Sequence, residues 1–262
     1  MNRGFASLTT SGARYWRDRL TGWGLLLVAV LLQACATVPY PDRRDPLESM
    51  NRSIFGFNDV LDRAIVKPVA TVYRDATPTW MRKGVANFFN NLEDMWSVVN
   101  NALQLRGKDT GESIARVMVN STLGVLGFVD VASDMNVERH TANLGLTLGR
   151  WGVGSGPYLV LPFFGPSTLR DAAAFPVDLA GNPANAIDDV GTRNGLTVVN
   201  LVNIRAAYIG AGNVVEEAAL DKYSFLRDAY LQRRRNQVYD GNPPGDDELP
   251  DPSAEPAVPS AK

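Results

Sequence analysis

Residues 80–105 read WMRKGVANFFNNLEDMWSVVNNALQL. Within them Val85, Phe88, Leu92, Met95, Val99 and Leu103 recur every three or four positions, the spacing that lines one face of an α-helix. Phe89 and Trp96 widen that face past a narrow coiled-coil seam. The stretch predicts one long amphipathic helix, and so a fold built from helices.

The same period continues on both sides. Met50, Ile54, Phe57, Leu61 and Ile65 form one stripe. Asp45-Pro46 predicts its start, with Asp at the N-cap and Pro in the first turn. Lys67-Pro68 predicts its end. Asp109 followed by Glu112 predicts a variant capping box that opens a helix through Ile114, Val117 and Met118. A Gly-rich apolar stretch, Leu123 to Val129, follows. Leu196, Val199, Val202, Ala206 and Ile209 give a further stripe. Asn213 to about Val238 reads as one or two more helices, with Tyr223, Leu226 and Tyr230 on one side. Sustained strand alternation is missing, so the class is mainly α. No internal repeat appears.

Residues 145–167 break this pattern. Gly145, Gly149, Gly152, Gly154, Gly156, Pro157, Pro162, Gly165 and Pro166 surround Tyr158-Leu159-Val160-Leu161-Pro162-Phe163-Phe164. That composition predicts an apolar loop or short hairpin rather than a long element. Ser167 is placed to cap a helix through Thr168-Leu169-Arg170-Asp171.

The N-terminus has a different character. Arg3, Arg14, Arg17 and Arg19 precede an apolar run from Trp23 to Leu32. The run is about ten residues long, half of the roughly 20 needed to cross a bilayer as a helix. A basic leader plus a short apolar core reads as a secretory signal. Leu32-Gln33-Ala34-Cys35 resembles the lipobox of bacterial lipoproteins, and Cys35 is the sole cysteine. The expected products are a signal peptide over 1–34 and a Cys35 carrying diacylglycerol and an N-acyl chain. Two or more acyl chains hold a protein to a membrane far better than one, since each buried methylene contributes about 0.8 kcal/mol. Ala36 follows the cysteine. In Gram-negative lipoproteins Asp there commonly signals retention in the inner membrane, so Ala36 implies passage to the outer membrane by that likeness.

A tether over 35–44 then leads to a helical domain over 45–239. The tail 240–262 holds six prolines, six acidic residues and one Lys, a composition that cannot bury a core and predicts disorder.

Composition removes several function classes. Apolar residues make up 45% and the formal net charge is −2, so nothing points to nucleic acid. Arg233-Arg234-Arg235 is read as a solvated helix end. One Cys excludes intrachain disulfides and Cys-rich zinc sites. One His, His140, argues against a His-based metal cage and a His-assisted nucleophile, and its polar neighbours predict an exposed loop. No metal and no soluble cofactor is expected. Gly152-Val153-Gly154-Ser155-Gly156 lacks the Gly-Lys-Ser/Thr ending of a phosphate loop. Ser155 is not in Gly-x-Ser-x-Gly spacing, because Val153 occupies the first glycine place. Asp188-Asp189 and Glu216-Glu217 are adjacent pairs, which on a helix point about 100° apart and do not converge. The mature chain has no 18-residue apolar run, yet its apolar faces are wide, so some of them either pack as core or meet lipid in one leaflet.

Several blocks together resemble the MlaA/VacJ lipoproteins: Asp45 to Asn58, Leu61 to Arg63, Lys67 to Ala70, Asn87 to Leu92, Val119 to Gly124, Phe128 to Ser133, Thr147 to Asp171 and Arg227 to Arg234. The chain departs from that pattern at Leu144 and Leu146, where the family usually has Phe and Gln. The resemblance implies a ring-like, lipid-anchored α-helical body on the periplasmic side of the outer membrane. It further implies removal of mislocalised phospholipid from the outer leaflet and its delivery to a periplasmic carrier of the MlaC type, beside a trimeric porin and without enzymatic chemistry. Of the apolar loop, Tyr158, Leu161, Phe163 and Phe164 are the candidates for a lipid-channel lining. The competing readings are a phospholipase, which would need His140 as its base, and a structural or surface lipoprotein of the cell envelope.

Overall fold

The structure, a computed structural model, describes residues 42–245. The leader, Cys35, most of the tether and the tail beyond 245 lie outside the described residues.

The chain is mainly α. It opens with α1 (Glu48–Leu61), which passes through a π-helical turn (Asp62–Val66) into α2 (Lys67–Ala76). Next come α3 (Thr79–Leu103), α4 (Gly107–Thr122), the short α5 (Val131–Asp134) and α6 (Leu144–Arg150). A hairpin of β1 (Tyr158–Leu161) and β2 (Gly165–Thr168) leads into α7 (Leu169–Gly181). After a 3₁₀ turn (Pro183–Ala186) the chain closes with α8 (Val190–Ala207), α9 (Ile209–Ala218) and α10 (Lys222–Val238). The order of packing closes on itself: α1 on β1, the hairpin on α7, α7 on α6, α6 on α3, α3 on α8, and α8 on α2. The π turn then joins α2 back to α1.

Pro68 does not end the first helix. It sits in the first turn of α2, just after the π turn. Proline removes one backbone donor and crowds the carbonyl four residues earlier. A π turn, with its i→i+5 spacing, is one way a helix accommodates such a fault. The extra residue also keeps the exposed apolar residues in line: Phe57, Val60, Ile65, Val69 and Val72 are all exposed, and the step from 60 to 65 is five. Nor does Asp45 cap α1, which starts at Glu48 after Leu47 without a side-chain cap. The buried Asp45 carboxylate accepts instead from Tyr223 Oη and from Asn51 Nδ2 at 2.7 Å.

Asp109 and Glu112 are no capping box either, because α4 begins at Gly107 after Arg106 without a side-chain cap. The helix after the hairpin is capped by Thr168, whose side chain accepts from Asp171 N, rather than by Ser167. Residues 158–168 form a two-stranded antiparallel hairpin that pairs Tyr158 with Thr168 and Leu161 with Gly165. Arg234 is not solvated: its guanidinium meets both oxygens of Asp171, at 2.8 and 2.9 Å. Asp240 belongs to the folded part, since it pairs with Arg150 and lies 2.9 Å from Arg106.

Candidate functional site: an apolar surface on a polar frame

Soluble proteins bury apolar side chains and leave polar ones outside. Here the pattern is inverted. Among the described residues, eighteen polar or charged side chains are buried against ten apolar ones. The seam between α3 and α4 shows how this arises. The buried face of α4 is Asp109, Ser113, Arg116 and Asn120, spaced three and four apart. The buried face of α3 is Gly84, Asn91, Asp94, Ser97, Asn100 and Asn101. Asn101 donates to Ser113 at 3.2 Å and Asn91 to Ser121 at 2.9 Å. Asp94 accepts from Arg139 at 2.7 Å and lies 3.6 Å from Arg116 Nε. Burial pushes the Asp94 carboxyl above its ordinary pKa, outweighing the nearby Arg139 and Arg116.

Polar seams between helices are the arrangement expected where the surroundings are lipid, because burying apolar surface between helices then gains little. None of the apolar side chains of these same helices is fully buried, and several are exposed. Met118 is 64% exposed, and Val99, Leu103 and Ile114 are exposed as well. The connection after α4 carries Leu123, Val125 and Leu126 outward. Val125 and Leu126 have φ of 53° and 57°, a region that costs a β-branched residue energy. Phe128 is held beneath this connection against Gly84, where a side chain would collide with its ring at 2.1 Å. No single described helix is long and apolar enough to cross a membrane, but α8 and α9 meet that test together, bent by 53°.

The hairpin is held by two asparagines on α1, seven residues apart. Asn51 donates to the Tyr158 carbonyl at 3.0 Å and accepts the Val160 N–H at 2.9 Å. Asn58 donates to the Leu161 carbonyl at 3.0 Å and accepts the Phe163 N–H at 2.8 Å. Each amide thus acts as a short stand-in for a neighbouring strand. Phe163, with φ of 68°, and Phe164 form the tip; they are 68% and 62% exposed. Phe57 of α1 meets Phe163 edge-on at 5.4 Å, and Phe175 of α7 meets Phe164 at 4.7 Å.

The four candidate lining residues therefore separate. Phe163 and Phe164 lie at the exposed tip, and Leu161 is half-buried beside them. Tyr158 is only 1% exposed. Its ring is boxed by Tyr223 and Tyr230, at 6.2 and 6.3 Å, and burial pushes its phenol pKa up. Tyr158 is a packing residue with no surface to offer a ligand, because the alternating strand points it inward. The sequence places Phe57 only on a helical stripe and assigns Asn51 and Asn58 no role of their own. Asn58 is half-buried on α1, and no periodic signal marks an amide that reads a distant strand.

The residues weighed for catalysis do not assemble. His140 is half-buried rather than exposed, and its Nε2 lies 2.5 Å from Glu112 Oε2. Residues 152–156 run exposed into β1, and no helix begins there. Asp189 caps α8 through Thr192 N, and Glu216 pairs with Lys67 at 3.0 Å.

The pattern that describes the MlaA lipoprotein family matches residues 43–237. The chain is 36% identical over 217 residues to the intermembrane phospholipid transport system lipoprotein MlaA of Escherichia coli (strain K12), covering 80% of this chain and 85% of that protein. It is 31% identical to the protein of that name in Haemophilus influenzae, over 82% of this chain and 89% of the other. An uncharacterised protein of Rickettsia bellii is 35% identical, over 74% of this chain and 76% of its own length. A solved structure described as the structural basis for maintenance of bacterial outer membrane lipid asymmetry superposes with a TM-score of 0.66. It is 36% identical and covers 75% of this chain and 100% of that one.

Proposed function

The chain belongs to the MlaA lipoprotein family, and on that premise we propose how it works. It is a lipoprotein of phospholipid transport that maintains outer-membrane lipid asymmetry. It takes mislocalised phospholipid from the outer leaflet and passes it on toward the periplasm.

The observation that carries this reading is the inverted surface. A polar frame holds the helices together and leaves their apolar sides, with the Phe163-Phe164 tip, turned outward. Moving a two-chain phospholipid through water would expose about 30 methylenes, a cost of about 25 kcal/mol at about 0.8 each. A transport route must cover those chains at every step. Irregular, Gly- and Pro-rich backbone can stand at membrane depth where it is buried in protein or lines a cavity, and residues 151–166 have that composition.

In this reading Cys35 carries the acyl chains that anchor the body to the periplasmic side of the outer membrane. The apolar faces of α1, α2, α4 and α8 sit among the acyl chains of the inner leaflet. Leu161, Phe163 and Phe164 line the path of the lipid tails. A periplasmic carrier of the MlaC type receives the lipid, and a trimeric porin holds the lipoprotein in place. No catalytic group is needed, and no bond in the lipid is made or broken.

The test is deletion of the gene and complementation with the intact chain. Outer-leaflet phospholipid and detergent sensitivity should both rise on deletion and return on complementation. Unchanged values in both would overturn the transport reading in favour of a structural lipoprotein. Release of fatty acid from labelled phospholipid by the purified protein would overturn it in favour of an enzyme.

A further inference from the structure

Away from the hairpin, Glu112, Glu138 and His140 bring three ligand atoms within 4.8 Å of one another. The arrangement follows from two local periods. Asp109 and Glu112 are one turn apart on α4, so they share a face. Glu138 and His140 are two apart in the irregular segment 137–143, a spacing that turns both to one side of an extended chain. His140 reaches from that segment to α4. Its Nε2 faces Glu112, and its Nδ1 lies 3.8 Å from Asp109 Oδ2. Arg106 holds that same Asp109 oxygen at 2.7 Å. A cavity of about 740 Å³ opens onto Glu138, His140 and Arg106.

We propose that Glu112, Glu138 and His140 Nε2 bind one divalent cation of the zinc type. A fixed carboxylate behind the far nitrogen is what orients an imidazole for metal binding, and Asp109, 3.8 Å from His140 Nδ1, takes that place once the gap closes to hydrogen-bond distance. One imidazole with two carboxylates suits zinc better than magnesium or calcium, which prefer oxygen-only shells. Zinc–ligand lengths of about 2.1 Å put tetrahedral ligand atoms about 3.4 Å apart. The close Glu112–His140 pair must therefore open by about 1 Å, and Glu138, whose side chain is exposed, swings in. Two carboxylates neutralise the ion, and water would complete the tetrahedral set. The single-histidine argument rules out a cage of several imidazoles, but not this mixed set. Bound metal would clip segment 137–143 to α4 and so steady the chain that enters α6.

The experiment uses the full-length lipoprotein in detergent, stripped with chelator and titrated with Zn²⁺ alone, then with Mg²⁺ alone. The expected result is one equivalent of Zn²⁺ bound, a rise in Tm, and neither effect with Mg²⁺ at the same concentrations. His140→Ala and Glu138→Gln should each lose the equivalent. Glu138→Gln changes an exposed residue and keeps the fold. Asp109→Asn should bind about 10–100-fold more weakly. Zinc that fails to bind, or that stays bound in Glu138→Gln and His140→Ala, would overturn the proposal.

Discussion

Asn58 closes the bend that carries Phe163: the amide oxygen of the first accepts the backbone N–H of the second at 2.8 Å. The same amide donates to the Leu161 carbonyl at 3.0 Å, so one side chain spans the turn. Replacing Asn58 with Leu should leave two backbone groups unpaired and destabilise the protein by about 1–3 kcal/mol. Asn51→Leu should cost more, because Asn51 is fully buried and also serves Asp45. Thermal unfolding in detergent measures both. A cell complemented with Asn58→Leu should show raised outer-leaflet phospholipid even where the protein accumulates normally.

The tip itself should behave as a lipid contact. Exchanging Phe163 and Phe164 for Asp removes two exposed rings, and the loss of each apolar contact is worth about 1.5–3 kcal/mol if fully buried in lipid. Binding to phospholipid vesicles of a chain lacking the lipidated Cys35 should fall by at least about tenfold while the far-ultraviolet spectrum stays the same. Equal binding of the wild type and the double variant would remove the tip from the lipid path.

Val69 and Ala70 are adjacent and should answer oppositely. Val69 is exposed, on the apolar stripe that crosses the π turn, whereas Ala70 is 0% exposed and packs with Ala206 and Ile209. Ala70→Glu buries an unpaired charge and should prevent folding. Val69→Glu should fold with little change in Tm and, in a chain lacking the lipidated Cys35, weaken binding to vesicles. Proteolysis and vesicle flotation, run on both variants, separate these outcomes.

Acid should loosen the α4–α5 joint. Burial pushes the Asp130 carboxyl pKa up, but hydrogen bonds from Ser133, Asn120 and Arg116 outweigh it and hold the value at about 2. The folded value is thus below the ordinary carboxylate value of 3.8. The group then contributes stability that is present above the unfolded value and lost as pH falls from about 4 to about 2. The size is about 1–2 kcal/mol, allowing for partial exposure. Unfolding of Asp130→Asn followed from pH 7 to 2 should start from a lower stability and show a shallower acid limb.

Much of the helical architecture was legible in the residues. The stripe through Val85, Phe88, Leu92, Met95, Val99 and Leu103 marked α3 to within two residues at its C-terminal end, because a repeated period survives any tertiary context. What a period does not encode is the medium on either side. Asn91, Asp94 and Asn101 share the buried face of α3, and only their partners on α4 show why polar residues turned inward. Local signals failed where a side chain had a distant bond to make. Asp45 looked like a cap and became the acceptor for Tyr223, 178 residues away. Pro68 looked like a stop, yet one extra residue in a π turn carried the helix past it. The hairpin was half legible: Gly and Pro marked the bend, but the strand pairing is supplied from outside by Asn51 and Asn58.

The central claim is that acyl chains travel along the Leu161–Phe164 tip. It is tested most directly by placing a photoreactive phenylalanine at position 163 in living cells, with the exposed Gln232 on α10 as the comparison site. Irradiation should yield a phospholipid adduct at 163 and none at 232. Adducts absent from 163, or equal at both positions, would contradict the account.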